Sequence, residues 1–120
     1  MANSTQQRID FLHKISLFII DANYKQIKLL CYFFHRTTIQ QVKLYAQGRV
    51  KPGKIVTYCD GVKKKSYHQK WRAMDFVIVK DGQLIWHYIK EYDILGKIWK
   101  GIGGKWGGDF KFKDYFHFQL

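Results

Sequence analysis

An aspartate stands in the middle of an apolar segment that has the composition of a β-strand. Residues 72–79 are rich in β-branched and apolar side chains, which predicts a strand. In such a strand Asp75 points to the face opposite Met74 and Phe76. A buried carboxylate costs free energy unless it is paired or bound to a metal ion. Any fold of this chain therefore has to give Asp75 a partner.

Two histidines are candidates for that partnership. His68 lies in the polar segment before the strand, and His117 lies in an alternating pattern near residue 120 that predicts another strand. Two imidazoles and a carboxylate suit a catalytic zinc ion with an open fourth position. Asp114 precedes His117 by three residues, where a carboxylate can lie near the metal without binding it, as a general base does. A histidine on an apolar strand is also common as a hydrogen-bonded core residue, so spacing alone leaves both interpretations open.

These residues form two motifs that are accompanied by three shorter blocks. Ser66, His68, Ala73 and Asp75 make the first motif, and Asp114, His117 and Phe118 make the second; the blocks are 44–49, 52–57 and 106–110. From Gly48 to Leu120 the chain resembles the zinc peptidases that cut bacterial cell-wall peptides. These are the VanY-type D-alanyl-D-alanine carboxypeptidases and the phage L-alanyl-D-glutamate endolysins.

The resemblance implies a role for each of these residues. His68, Asp75 and His117 are expected to bind Zn²⁺, and Asp114 to act as the base. Arg36 lies just after the apolar segment 27–34. It is expected to stabilise the oxyanion beside the metal. The alternative for Arg36 is a surface residue that caps a helix end.

Four further residues are expected to contact substrate, namely Ser66, Arg49, Gln41 and Trp106. Three of them have structural alternatives that the sequence leaves open. Ser66 can instead fix a turn, Gln41 can be a solvated helix residue, and Trp106 can belong to the core and close a loop.

Two positions depart from the family pattern. Trp71 stands where the family usually has glycine, and its ring is expected to narrow the cleft or to remodel the turn after His68. Gln119 stands where a glutamate usually follows the second histidine. A glutamine can replace that glutamate if it only orients a ligand, but activity should be lower if the charge tunes the metal.

The hydrophobic patterning predicts a small α+β domain, and the resemblance implies a fold of the Hedgehog/D-Ala-D-Ala peptidase type. Helices should pack on one face of a mainly antiparallel sheet, with zinc in an open cleft. With 120 residues, 47% of them hydrophobic, we expect a single domain over 1–120.

Local signals give the expected elements. A capping box at Ser4 and Gln7 predicts a helix over 5–22, and Asp81-Gly82 predicts a hairpin. Residues 27–34 and 55–58 are predicted strands. A second helix is expected from Thr37 or Thr38 to Gly48 and a third over 92–102. The side chains predicted to face inward are Ile9, Leu12, Ile15, Ile19 and Ala22 in the first helix and Ile39, Val42 and Tyr45 in the second.

The net charge of +12 fits two kinds of partner. Clustered Lys and Arg among aromatic residues attract nucleic-acid phosphates, and the same charge attracts the anionic polymers of a bacterial wall. The metal motif favours the wall, because a nucleic-acid module has no need of it. We therefore expect peptidoglycan as the partner and no nucleic acid.

The expected function is a zinc-dependent L-alanyl-D-glutamate endopeptidase of the phage or prophage endolysin type. The alternatives are a D-alanyl-D-alanine carboxypeptidase, a non-catalytic peptidoglycan-binding relative and a basic nucleic-acid-binding module. Residues 1–7 lack the features of a signal peptide, and apolar runs such as 17–20 are far too short to span a membrane. We expect a monomer that is made in the cytoplasm and acts on the wall after release.

Overall fold

The computed structural model describes residues 3–120, which form three α-helices and five strands. The helices are α1 (Ser4–Tyr24), α2 (Thr38–Ala46) and α3 (Lys90–Ile102). The strands are β1 (Lys28–Phe33), β2 (Ala73–Lys80), β3 (Gln83–Ile85), β4 (Lys105–Trp106) and β5 (His117–Gln119), and a 3₁₀ turn spans Gly107–Asp109.

The strands form one antiparallel sheet in the order β1-β2-β5-β4, and β3 also pairs with β2. The predicted hairpin between β2 and β3 is confirmed. Asp81 and Gly82 both have positive φ, 51° and 73°, which is the conformation that a two-residue hairpin loop requires.

The two faces of the sheet have different roles. Phe76 and Ile78 of β2 and Phe118 of β5 point to one face, where they pack against α1 and α3 in the hydrophobic core. Because strand side chains alternate, Asp75 and His117 point to the other face. The predicted arrangement, with helices on one face of an antiparallel sheet, is confirmed.

Helix α1 has the expected extent, but its cap and its buried side differ from the prediction. Asn3 caps the helix, accepting a hydrogen bond from Gln6 N at 2.8 Å, so the capping box at Ser4 and Gln7 was wrong. Ile15 and Ala22 are buried as predicted, together with Phe11 and Phe18, whereas Ile9, Leu12 and Ile19 are exposed. The rings of Phe11 and Phe18 pack in the core above the sheet, and the helix face that carries them leaves Ile9, Leu12 and Ile19 on the solvent side.

Helix α2 begins as predicted but buries a polar residue. Thr37 forms a capping box with Gln40. Gln41 is fully buried, while Ile39 is 70% exposed and Val42 is 43% exposed. The inward-facing assignment of these two apolar residues was therefore wrong, because the amide of Gln41 finds hydrogen-bond partners inside that apolar side chains cannot use.

The segment 55–58 is a loop and not the predicted short strand. Carbonyls in this segment and just after it bond to side chains instead of to a neighbouring strand: Arg49 Nη2 donates to Thr57 O at 3.0 Å, and Gln41 Nε2 donates to Cys59 O at 2.8 Å. Separately, within residues 3–120 we find no helix whose length and apolar character would allow it to cross a membrane.

Candidate metal centre

The sheet register brings Asp75 and His117 together. They are direct partners in the antiparallel pair β2–β5, and directly opposed side chains lie on the same face. His117 Nδ1 lies 3.1 Å from Asp75 Oδ1. Asp75 is only 6% exposed, so the sequence-based expectation of a buried carboxylate on this strand is confirmed.

His68 reaches the same point from the turn before β2. Its backbone N–H donates to Ser66 Oγ at 3.2 Å, and its carbonyl accepts from Arg36 N at 3.2 Å. The ring Nδ1 lies 2.7 Å from Phe34 O. Because a carbonyl can only accept, Nδ1 carries a proton, and Nε2 is the ring nitrogen left to accept a bond or bind a metal.

The three side chains converge on one point. One donor atom from each of His68, Asp75 and His117 lies within 4.8 Å of the others. His68 Nε2 is buried and makes no hydrogen bond within residues 3–120, although it lies 3.3 Å from Asp75 Oδ2. Facing lone pairs of this kind need a cation between them, and two imidazoles with a carboxylate are the donor set of catalytic zinc sites. The residues present therefore fit a metal ion.

Gln119 fixes the tautomer of His117. Its Oε1 lies 2.8 Å from His117 Nε2 and can only accept, so Nε2 carries the proton and Nδ1 is the atom left for a metal. The register explains the contact, because Gln119 lies two residues along β5 and on the same face as His117. Gln119 thus provides the orienting hydrogen bond, which was one of the two roles considered for the glutamate usual at this position.

The ionisation of the pair follows from its surroundings. Burial raises the pKa of Asp75, but the hydrogen bond with His117 and the adjacent His68 ring outweigh it and hold the pKa below its ordinary value. Burial lowers the pKa of His117, yet the hydrogen bond and charge of Asp75 outweigh it and raise that pKa overall. In the absence of a metal, a proton on His117 is thus the cation that Asp75 attracts.

Asp114 is a separate carboxylate in the same cleft. Its backbone N–H donates to Gly107 O at 2.9 Å, and its Oδ1 accepts from Phe116 N at 3.2 Å. A side chain at Gly107 would begin 2.2 Å from Asp114 O, so only glycine allows this close approach. Burial, and then the negative charge of Asp75, raise the pKa of Asp114. A carboxylate with a raised pKa is a stronger proton acceptor than an ordinary one, as a general base requires.

Arg36 lines the cleft and is held by Gln41. Arg36 is 9% exposed, and its Nη1 donates to Gln41 Oε1 at 2.8 Å. Gln41 Nε2 in turn donates to Thr57 Oγ1 at 3.1 Å and to Cys59 O. Arg36 Nε is buried and makes no hydrogen bond within the described residues. The alternative of a surface arginine capping a helix does not hold.

Gln41 is neither a substrate contact nor a solvated residue, because it is 0% exposed and fully used in these internal bonds. Arg49 is exposed, but it donates to Tyr45 O at 2.7 Å and to Thr57 O and supports the cleft wall from outside. Ser66 fixes the turn through His68 N and also lines the cleft. Trp106 is 5% exposed, lies in the core and donates to Tyr115 O at 2.9 Å, which corrects its assignment as a cleft residue.

Trp71 does not narrow the cleft. Its ring turns away and stacks on His35 with 3.8 Å between ring centroids, and Arg8 lies over it at 4.6 Å. Its φ is 60°, a left-handed conformation that costs a non-glycine residue free energy. The backbone geometry explains why glycine suits this position.

The cleft has a volume of about 590 Å³, a size typical of ligand pockets. Its walls are the segments 55–59 and 110–114, and its floor contains the three converging side chains with Arg36 and Ser66.

The sequence did not reveal the Phe34 carbonyl that orients His68, since a backbone group leaves no composition signal. It also did not reveal Tyr58 and Phe112, which are exposed aromatic residues of the two walls.

The comparisons with known proteins agree with this geometry. A family model described as D-alanyl-D-alanine carboxypeptidase, of the M15 peptidases, matches residues 60–120. The peptidoglycan L-alanyl-D-glutamate endopeptidase CwlK of Bacillus subtilis (strain 168) is 42% identical over 95 residues, which cover 71% of this chain and 56% of CwlK. The chain thus spans little more than half the length of that relative.

The crystal structure of the Serratia marcescens L-Ala D-Glu endopeptidase ChiX matches with a TM-score of 0.65 and 22% identity. The match covers 92% of this chain and 77% of ChiX, and it confirms the predicted fold. Since the family model covers half of the sequence, this chain belongs to the M15 peptidase family described as D-alanyl-D-alanine carboxypeptidase.

Proposed function

We propose that this chain is a zinc-dependent hydrolase that cleaves the L-alanyl-D-glutamate bond of bacterial peptidoglycan stem peptides. The observation that carries the proposal is the convergence of His68 Nε2, Asp75 and His117 Nδ1 on the floor of a cleft that also contains Asp114. The 42% identity to CwlK, a peptidoglycan L-alanyl-D-glutamate endopeptidase, supports the choice of bond.

His68, Asp75 and His117 would hold the zinc ion, and the hydrogen bonds to Phe34 O and Gln119 Oε1 orient the two imidazoles for that task. When bound, zinc supplies a Lewis acid that polarises the peptide carbonyl and acidifies a water molecule. The rest of the reaction falls to side chains of the protein.

Asp114 is the proposed general base and acid. Burial and the charge of Asp75 raise its pKa, so the carboxylate takes the proton of the attacking water and then passes it to the departing amine of D-glutamate. General acid–base catalysis of this kind contributes roughly 10²- to 10⁴-fold to the rate.

Arg36 is proposed to stabilise the negative charge that develops on the carbonyl oxygen. Its position in the cleft and the hydrogen bond that holds its guanidinium support this role, because a donor already held in place costs no reorganisation when the charge appears. Gln41 fixes the guanidinium, so its contribution is positioning. Ser66 is also proposed to contact substrate, because it lines the cleft. The position of Arg49 supports the wall that carries Thr57 and does not favour a direct substrate contact.

We further propose a monomer of the endolysin type that reaches the wall after release. The net charge of +12 supports attraction to anionic wall polymers. A D-alanyl-D-alanine carboxypeptidase is the second candidate, because the matching family model has that description.

The test is to incubate the zinc-loaded protein with purified peptidoglycan and to identify the new termini by mass spectrometry. New amino-terminal D-glutamate is the expected product. Release of single D-alanine residues identifies the carboxypeptidase instead, and intact peptidoglycan contradicts both. Asp114→Asn is the control, since it keeps the size of the side chain and removes the base.

A further inference from the structure

Two exposed aromatic side chains meet where the two walls of the cleft come together. Tyr58 belongs to the wall 55–59 and Phe112 to the wall 110–114. Their ring centroids are 5.2 Å apart with an interplanar angle of 24°. The residues are 54% and 63% exposed, so each ring leaves much of its surface in water.

Neither ring contributes to the hydrophobic core within residues 3–120. Burial on folding therefore does not account for two large apolar rings at this place. Exposed aromatic surface that adjoins a ligand cleft is a common mark of a binding contact.

The backbone beneath the two rings is anchored. Arg49 donates to Thr57 O next to Tyr58 at 3.0 Å. On the other wall, Lys113 Nζ donates to Gly108 O at 3.1 Å, and the Asp114 N–H is bound to Gly107 O. The rings are thus presented on fixed segments, and an ordered aromatic surface binds at a low cost in conformational entropy.

The chemistry of the substrate suggests what this surface contacts. In the peptidoglycan stem, L-alanine comes first, and its nitrogen carries the lactyl group of the muramoyl sugar. The sugar ring therefore lies about two residue lengths, roughly 7 Å, from the L-alanyl carbonyl. Phe112 precedes the proposed base Asp114 by two residues, so their Cα atoms are also separated by at most ~7 Å.

We infer that Tyr58 and Phe112 form a sugar-binding surface that selects stem peptides still attached to their glycan. The apolar C–H face of a pyranose ring packs on the face of an aromatic ring, as other flat apolar groups do. The inference rests on the proposed function and extends it, because it makes the glycan part of the recognised substrate. A D-alanyl-D-alanine bond lies at the far end of the stem, where the sugar is out of reach of this surface.

The experiment compares two substrates that contain the same L-alanyl-D-glutamate bond: a disaccharide tetrapeptide and the free tetrapeptide. The measured quantity is the ratio of the two kcat/KM values. This ratio does not depend on the fraction of folded or metal-loaded enzyme, because both substrates are cleaved by the same active molecules. The variants are Phe112→Ala and Tyr58→Ala, and Tyr24→Ala, which removes an 88% exposed tyrosine remote from the cleft, is the control.

The wild type and Tyr24→Ala are expected to prefer the glycan-linked substrate by about tenfold, the effect of one good stacking contact. Phe112→Ala and Tyr58→Ala are expected to bring the ratio close to one. A wild-type ratio of one, or an equal rise in kcat/KM for both substrates in the variants, overturns the sugar-binding role and leaves the proposed peptidase activity intact. An equal rise would indicate instead that the two side chains restrict entry to the cleft. If the wild type cleaves neither substrate at this bond, the proposed function itself fails, and the inference fails with it.

Discussion

The hydrogen bond from His117 Nε2 to Gln119 Oε1 is 2.8 Å long, and we expect its loss to weaken zinc binding by a measurable amount. In Gln119→Leu the ring loses the acceptor that keeps the proton on Nε2. The proton can then move to Nδ1, where it faces Asp75 and blocks the nitrogen that would bind zinc.

The expected loss of zinc affinity is 10- to 100-fold, the usual effect of removing an outer hydrogen bond from a metal-binding histidine. This corresponds to roughly 1.4–2.7 kcal/mol. Gln119→Glu keeps an acceptor at the same place and adds a negative charge, so it is expected to bind zinc at least as tightly as the wild type.

The assay is a competition titration of the metal-free proteins with zinc and a coloured chelator at fixed pH. Gln83→Leu is the control, because it removes an exposed glutamine from strand β3, away from the cleft. The reasoning is refuted if Gln119→Leu retains the wild-type affinity, or if Gln83→Leu loses as much affinity as Gln119→Leu.

Three further predictions concern the base, the proton that competes with the metal, and the packing of α3. Because burial and the charge of Asp75 raise the pKa of Asp114, the folded protein loses stability as the pH rises through that pKa. Asp114→Asn removes this buried charge, so it should raise the denaturant midpoint of the metal-free protein at neutral pH. Because it also removes the proposed base, it should lower turnover by roughly 10²- to 10⁴-fold. An unchanged turnover would contradict the role of Asp114 as base. Burial lowers the pKa of His117, but pairing with Asp75 raises it overall. As the pH rises through that pKa, His117 loses the proton that competes with zinc, so zinc affinity should increase. A pH-independent zinc affinity would contradict the assignment of His117 as a ligand. A Cβ at Gly96 would lie 2.3 Å from the Trp106 ring, whereas one at Gly101 meets nothing within 4 Å. Chemical denaturation should show that Gly96→Ala lowers the free energy of unfolding by about 1–3 kcal/mol and that Gly101→Ala raises it by up to about 1 kcal/mol. Equal effects of the two substitutions would argue against this packing.

The elements of the fold were largely predictable because their signals are local. The Asp81-Gly82 turn and the apolar strand around Asp75 depend on residues close in sequence, and both are present. The buried side of α1 was not predictable in the same way. Several neighbouring positions are apolar, and the choice among them depends on how Phe11 and Phe18 fit against the sheet, which is a long-range property.

The three proposed metal ligands were predicted because the family motif contains them, and the structure adds why they meet. Register places His117 opposite Asp75, and a backbone carbonyl orients His68. Gln41 and Trp106 were assigned to substrate from the resemblance alone. Both are buried and bonded internally, and sequence similarity does not separate a residue that touches substrate from one that supports those that do.

The central claim is that His68, Asp75 and His117 bind one catalytic zinc ion. The most direct test removes metal from the protein with a chelator, adds zinc back in increments, and follows bound zinc together with cleavage of purified peptidoglycan. The account predicts that activity rises linearly to a plateau at one equivalent of zinc, and that His117→Ala neither retains the ion nor regains activity. Full activity without metal, or an equivalent of zinc bound tightly by His117→Ala, would contradict it.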